Sequence, residues 1–451
     1  MTLGFSASAE TVGYWDPVGK VTNAVEATVV TAGTDTLTGG WYVVTGEVSR
    51  NRRMNVDGAV NLILADGANL TVVEPNDEYN KGYNPGIRVE SGKTLNIYAQ
   101  STDANAMGRL SATSGKYGAG IGGGDSTACG TVNIYGGKVT ATGRNCGAGI
   151  GGGDGGAGGT ISIFGGVVTA SCAGDSGAGI GGGRGGAGGI ITISGGTVTA
   201  TGGSGDGGAG IGGGGGGSSS GSAGGTITIS GGRVTATGCG KGAGIGGGSG
   251  GAGGDVTISG GMVVAKSGNK LVWDIGSGSG GGFSGEFVVK GGSVLLANSG
   301  NCRSEYPKNG DGTQVYCVTN QFTDIVGKGV SVRFPSAPFA YGDKDIFTDD
   351  ARQVYPWLPA AADTYAIAYE NEKGTFTELT PQQKVVVPGL VNAFENPQTT
   401  VIYAKPDGTL ANADAIPVDA RRTLLLGGAT GMSSRTWSRC RTPLRSSAAR
   451  T

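Results

Sequence analysis

The chain contains no histidine. Imidazole general bases, histidine metal ligands and Ser-His-Asp triads are excluded with it. The seven cysteines are scattered, and no two have the C-x-x-C spacing. No apolar run is long enough to cross a bilayer as a helix. Charge is scarce and balanced, 33 Lys and Arg against 34 Asp and Glu in 451 residues. A formal charge of −1 gives no electrostatic case for nucleic acid. Helical periodicity is missing throughout. Glycine is abundant, with 97 residues. Collagen would need it at every third position, and that period is absent.

The glycines are instead organised by a longer repeat. Residues 118–124 read GAGIGGG, and the same string returns at 147–153, 177–183, 208–214 and 242–248. A degenerate sixth copy surrounds Ile275. The central isoleucines, Ile121, Ile150, Ile180, Ile211, Ile245 and Ile275, are 29, 30, 31, 34 and 30 residues apart. A fixed period of this size signals a stacked repeat.

Each repeat contains three short extended pieces. The first is AGIG. The second is a TISIxGG segment, as at residues 131–137 and 160–166. The third is VTAT or a relative, as at 139–142 and 168–171. The second and third alternate with period two, as half-buried strands do. Three strands and three corners in about 30 residues make one coil of a parallel β-helix. Right-handed crossovers are the rule for parallel strands. The fold class expected is therefore all-β, a right-handed parallel β-helix over 41–298. About eight coils at roughly 4.8 Å give a rod of about 38 Å. Alternation points Ile121, Val132, Ile134, Val139 and Ala141 inward. The extra residues of the Ile211 coil lie in the Ser/Gly-rich stretch 215–225, as insertions into a solenoid corner should.

The flanks differ. Residues 7–9 read Ala-Ser-Ala before Glu10 and resemble a signal-peptidase site, so 1–9 are expected as the remnant of a secretory signal. Residues 10–40 read as an N-terminal cap. Residues 299–418 read as antiparallel β (VSVRF, TYAIAYE, TVIYA) and are expected to form a small β-sandwich. Residues 419–451 lose the strand pattern and carry seven Arg and no Lys. A disordered tail from a shifted reading frame is the expectation there.

GAGIGGG…GTIxIxGGxVTATG resembles the glycine-rich β-helix repeats of secreted and cell-surface bacterial proteins, of pectin-lyase-like architecture. Residues 348–370 resemble the CNA-B or prealbumin-like modules of bacterial surface proteins. The resemblance implies export, and a role among adhesins, carbohydrate binders or lyases. Fold alone does not choose among these.

Several constellations invite chemistry. GAGIGG satisfies G-x-G-x-x-G, but no helix or βαβ unit follows, so no nucleotide is expected. Asp125 and Asp154 each lie four residues after their isoleucine and should stack in adjacent coils. They form a candidate Ca²⁺ site; the simpler reading is an ion pair of Asp154 with Arg184, next in the column. No other cofactor is implied. Tyr98, Tyr135 and Phe164 share one register position in three successive coils. Such rings could stack on sugars, or pack under a loop such as 100–108. Thr140, Thr142, Thr169, Thr199, Thr201, Thr235 and Thr237 should present two hydroxyls per coil on a flat face. Ice-binding β-helices use such arrays, and outward Thr also suits any solvated strand. Cys302 and Cys317 form the expected disulfide if the protein is exported. Cys146 and Cys172 fall in one corner of adjacent coils and could also pair.

The sequence therefore favours a non-catalytic, secreted or surface-attached protein that binds a polysaccharide or a host or cell-surface glycan. A polysaccharide lyase or glycoside hydrolase, with clustered carboxylates, is the alternative. An ice-binding or purely structural rod is the second.

Overall fold

The computed structural model describes residues 8–75, 84–216, 223–282, 284–298 and 307–313, then short segments between 315 and 412. Residues 1–386 form one compact unit and 387–451 a second. Every regular element among the described residues is a β-strand.

The first unit is a parallel β-helix of nine coils. A nine-stranded parallel sheet forms its first face, from Thr36–Leu37 through Ile121–Gly122 to Ile275–Gly276. The first coil thus starts a few residues ahead of Trp41, and the rod gains a coil over the sequence estimate. Coils 1 to 3 (first strands Thr36–Leu37, Met54–Val56 and Ile87–Arg88) lack the GAGIGGG string. Their second and third strands nevertheless pair with the regular coils residue for residue. Leu95 lies between Val60 and Val132, and Leu110 between Leu70 and Val139.

The interior follows the alternation. Ile121, Val132, Ile134, Val139 and Ala141 are buried, as are their counterparts above and below. Burying these apolar columns supplies the main stabilisation of a fold without helices.

GAGIGGG is a tight arch rather than an extended strand. The Ala148 N–H donates to the Gly152 carbonyl at 2.9 Å, and the same closure recurs from Ala119, Ala178, Ala209 and Ala243. Isoleucine sits at the apex and points into the core. Gly151, with φ of +140°, lies so close to the next coil that a Cβ there would meet the Gly181 carbonyl oxygen at 1.9 Å. Only glycine fits that site.

Two ends close the core. At the N-terminal end, β1 (Ala9–Asp16) and β2 (Val21–Val29) form an antiparallel hairpin, and the end of β2 pairs with coil 1. Arg50 takes an inward position, in register with Val72. Its guanidinium is buried and donates to the Ala32 carbonyl and the Asp35 carboxylate, each at 2.5 Å. The Arg50 bond holds the Asp35 carboxyl below its usual range. At the other end, residues 353–358 lie on coil 9. Val294 donates to the Tyr355 carbonyl and the Trp357 indole N–H to the Val294 carbonyl, at 2.9 and 3.0 Å. The Trp357 ring meets Phe287 edge-on at 6.1 Å.

Beyond coil 9 the strands pair antiparallel. The largest described sheet joins Ile346–Phe347, Ser331–Arg333, Ala368–Glu370 and Phe376–Glu378. In the second unit Ile402–Ala404 pairs with Leu410–Asn412. Residues 1–7 and 413–451 lie outside the described residues, and so do the expected signal remnant, apart from Ser8 and Ala9, and the basic tail.

Candidate functional site

The second face carries three outward columns side by side. The first runs through Thr94, Thr131 and Thr160. The middle one begins with Asn61, Asn96 and Asn133. Each amide donates to the one before, from Asn96 to Asn61 at 2.9 Å and from Asn133 to Asn96 at 2.8 Å. The column continues as Ser162, Thr192, Thr228 and Thr257.

The third column is the aromatic one. Tyr135 and Phe164 occupy the expected register, their N–H groups bonded to the Ile97 and Ile134 carbonyls of the coil before. The Tyr98 and Tyr135 rings stack at 4.6 Å and 2°, and those of Tyr135 and Phe164 at 4.7 Å and 4°. All three are half-buried, not free in solvent. Tyr14 of β1 packs its ring against Trp41 at 4.7 Å and against Tyr98 at 4.8 Å. The N-terminal hairpin therefore closes the start of the column, a role the sequence suggested for 100–108. Burial, with Tyr14, Asp16 and Tyr135 nearby, raises the Tyr98 phenol above its usual range. Burial and Asp16 raise Tyr135.

Rings stacked face to face spend those faces on each other. Tyr98 and Tyr135 offer a ligand only their edges and hydroxyls.

The third face carries the hydroxyl array. Thr140, Thr169, Thr199 and Thr235 are exposed and in register, and the column extends back through Ser111, Thr71 and Ser49. Thr142, Thr201 and Thr237 are half-buried. Of the two positions expected in each coil, one is exposed and the other half-buried. Val264 ends the column.

The expected metal pair resolves into its simpler form. Arg184 grips Asp154 with two bonds, from Nε at 3.0 Å and Nη2 at 2.6 Å. Burial pushes the Asp154 carboxyl above its usual range despite that guanidinium. Such a partly exposed pair is worth under about 1 kcal/mol. Asp125 is exposed. Among the described residues no three Asp, Glu or Cys side chains gather in a metal-holding group.

The cysteines are also corrected. Cys129, Cys146, Cys172 and Cys239 are free thiols. Cys172 stacks on Gly143, three positions before Cys146, so the two sulfurs are not in one column. The Cys172 thiol donates to the Asn145 carbonyl at 3.1 Å. Cys302 lies outside the described residues, so its expected bridge to Cys317 does too.

Stacked parallel coils, an isoleucine column and glycine arches define the fold as a parallel β-helix. The family model described as beta-helix repeat matches residues 132–154, 161–184, 191–215, 227–249 and 256–283. Each match opens on the first inward residue of a second strand, from Val132 to Val256. Coils 1 to 3, with Trp41 and Tyr98, precede the matched stretch. No curated protein and no solved structure matches the chain. No helix among the described residues is long and apolar enough to cross a membrane.

Proposed function

We propose that this protein is a non-catalytic carbohydrate-binding protein of the bacterial cell exterior, acting in adhesion, with the β-helix as a rigid display scaffold. One observation carries the reading. Columns of hydroxyl, amide and aromatic side chains run side by side across coils 3 to 5 of the second face. Carbohydrates are recognised by that combination, here ring edges and phenol hydroxyls flanked by uncharged hydrogen-bonding groups. Parallel columns repeated at the coil spacing suit a polymer that itself repeats. Export fits the resemblance to secreted repeats and the Ala-Ser-Ala string before Glu10.

A glycan array with the purified full chain tests this, run beside lyase and hydrolase assays on the same polysaccharides. Binding without turnover is the expected outcome. Release of unsaturated or reducing ends would replace this reading with the polysaccharide-active enzyme.

The exposed hydroxyl column of the third face favours ice binding as a second reading. It requires thermal hysteresis that Thr169→Tyr abolishes. Solutions that freeze without hysteresis would dismiss it.

A further inference from the structure

The aromatic column ends in mid-face at Phe164, which is half-buried. Ser194 donates its N–H to the Ile163 carbonyl at 2.8 Å, as Phe164 does to Ile134. Ser194 therefore holds the next place in the column, and Ser230 the one after, bonded in the same way to Ile193. Neither supplies a ring. Among the described residues no aromatic side chain stacks on the far side of Phe164. Ser194 is exposed, and its hydroxyl lies 3.5 Å from the Ile163 carbonyl, at the outer limit of a hydrogen bond. The next place in the column, at the 4.7 Å repeat of the rings below it, thus holds an exposed serine and no ring.

The surroundings select the occupant. Beside the slot stand the outward hydroxyls of Thr192 and Thr228. The tip of the N-terminal hairpin reaches the residue after Phe164, with Pro17 Cγ 3.9 Å from where a Cβ on Gly165 would stand. The outward positions of coils 5 to 7 on this face are Thr160, Ile190, Thr226, Ser162, Thr192, Thr228, and the column itself, all uncharged. A fitting ligand has a flat apolar face, a rim of hydrogen-bonding groups and no charge. A purely aromatic ring would leave the serine and threonine hydroxyls without partners, and none of these outward strand positions offers a cation to the carboxylate of a uronic acid.

We infer that a neutral pyranose ring of the bound glycan lies flat on the far face of Phe164, over Ser194, and continues the aromatic column by one place. This rests on the carbohydrate-binding reading and assigns it a position and a sugar class. The ring's axial C–H groups meet the Phe164 face, and its equatorial hydroxyls reach Ser194, Thr192 and Ser230.

Calorimetric titration of the full chain with cellohexaose, mannohexaose, xylohexaose and oligogalacturonate tests the assignment. Phe164→Leu keeps the apolar bulk and removes the flat face, and Ser194→Trp fills the slot. Each should weaken binding of the preferred neutral hexaose about tenfold or more. Thr169→Val on the third face should leave it unchanged. Saturation-transfer NMR on the unaltered protein reads the contact without any variant, and saturation from aromatic protons should reach the C–H protons of one sugar face. Neutral-sugar binding that neither variant weakens, with no such transfer, would overturn the slot and leave the carbohydrate reading standing. Preference for oligogalacturonate would overturn the neutral class. No binding to any of the four would overturn both.

Discussion

At the scale of single residues, the glycines divide by what surrounds them. Gly151 has positive φ and the Gly181 carbonyl oxygen 1.9 Å from a would-be Cβ, whereas Gly155, also at positive φ, has only Ser126 Cα at 3.8 Å. Gly151→Ala should cost on the order of 3 kcal/mol or more, as the coil must part to admit a methyl group. Gly155→Ala should cost about 1 kcal/mol, the backbone term alone. Urea unfolding of the two variants measures both. The thiols make a second residue-scale prediction. Burial pushes the Cys129 and Cys146 thiols up to about 12. A raised thiol favours the protonated folded form. Its stabilising contribution is whole below the ordinary thiol value near 9 and is lost as pH rises through about 12. Stability should fall across that window, and Cys129→Ala should flatten the fall. Iodoacetamide at neutral pH should spare Cys129 and Cys146 in the native protein and label both after denaturation, as read by peptide mass spectrometry.

At the scale of elements, the two ends matter more than any middle coil. A solenoid coil is covered by its neighbours, and the last coil at each end needs another cover. At coil 9 that cover includes Trp357, 4% exposed, bonded to Val294 and packed on Phe287. Trp357→Ala should destabilise the first unit by about 3–5 kcal/mol, seen as an earlier thermal transition. Arg50 serves the opposite end, filling an inward position where coils 2 and 3 have Val72 and Ala112. Asp35 is held ionised by Arg50, so its contribution is present above the ordinary carboxylate value and lost as pH falls below it. Hydrogen exchange of the β2 and coil 1 amides should therefore quicken at acid pH before that of coils 4 to 8. Equal quickening along the rod would show that the Asp35–Arg50 pair does not hold this end.

At the scale of the molecule, the coil is the unit of deletion. Ile150 and Gly151 pair with Ile180 and Gly181, and the second and third strands of coils 5 and 6 pair in the same register. Removing residues 150–179 joins Gly149 to Ile180 and restores an unbroken stack. That variant should fold with β-type circular dichroism and a urea m-value reduced in proportion to the lost coil. Removing 150–164 alone takes the first and second strands of coil 5, so its third, which pairs with residues 138–143 of coil 4, loses the chain that circles the core to reach it. It should fail to give a cooperative transition. If both deletions fold equally well, register does not organise the rod.

Much of this was legible in the sequence because a strand's period of two leaves a plain record. The isoleucine column, the inward set from Ile121 to Ala141, the aromatic register and the Asp154–Arg184 pair all follow from counting along a 30-residue repeat. One coil at the N-terminal end escaped that count because the inward residues of coils 1 to 3 are varied apolar ones without the glycine arch. A strand pairs through its backbone and does not need the string. Position along the chain also says which way a side chain points, but not what its surface meets. Only the tertiary structure decided that Tyr98 and Tyr135 spend their faces on each other, that Tyr14 closes the column from 84 residues away, and that Cys146 misses Cys172. It decided too that Arg50 turns inward and that, among the described residues, no further ring stacks on Phe164. Repetition determines register within the chain. Contacts between segments distant in sequence determine which surfaces are left for a ligand.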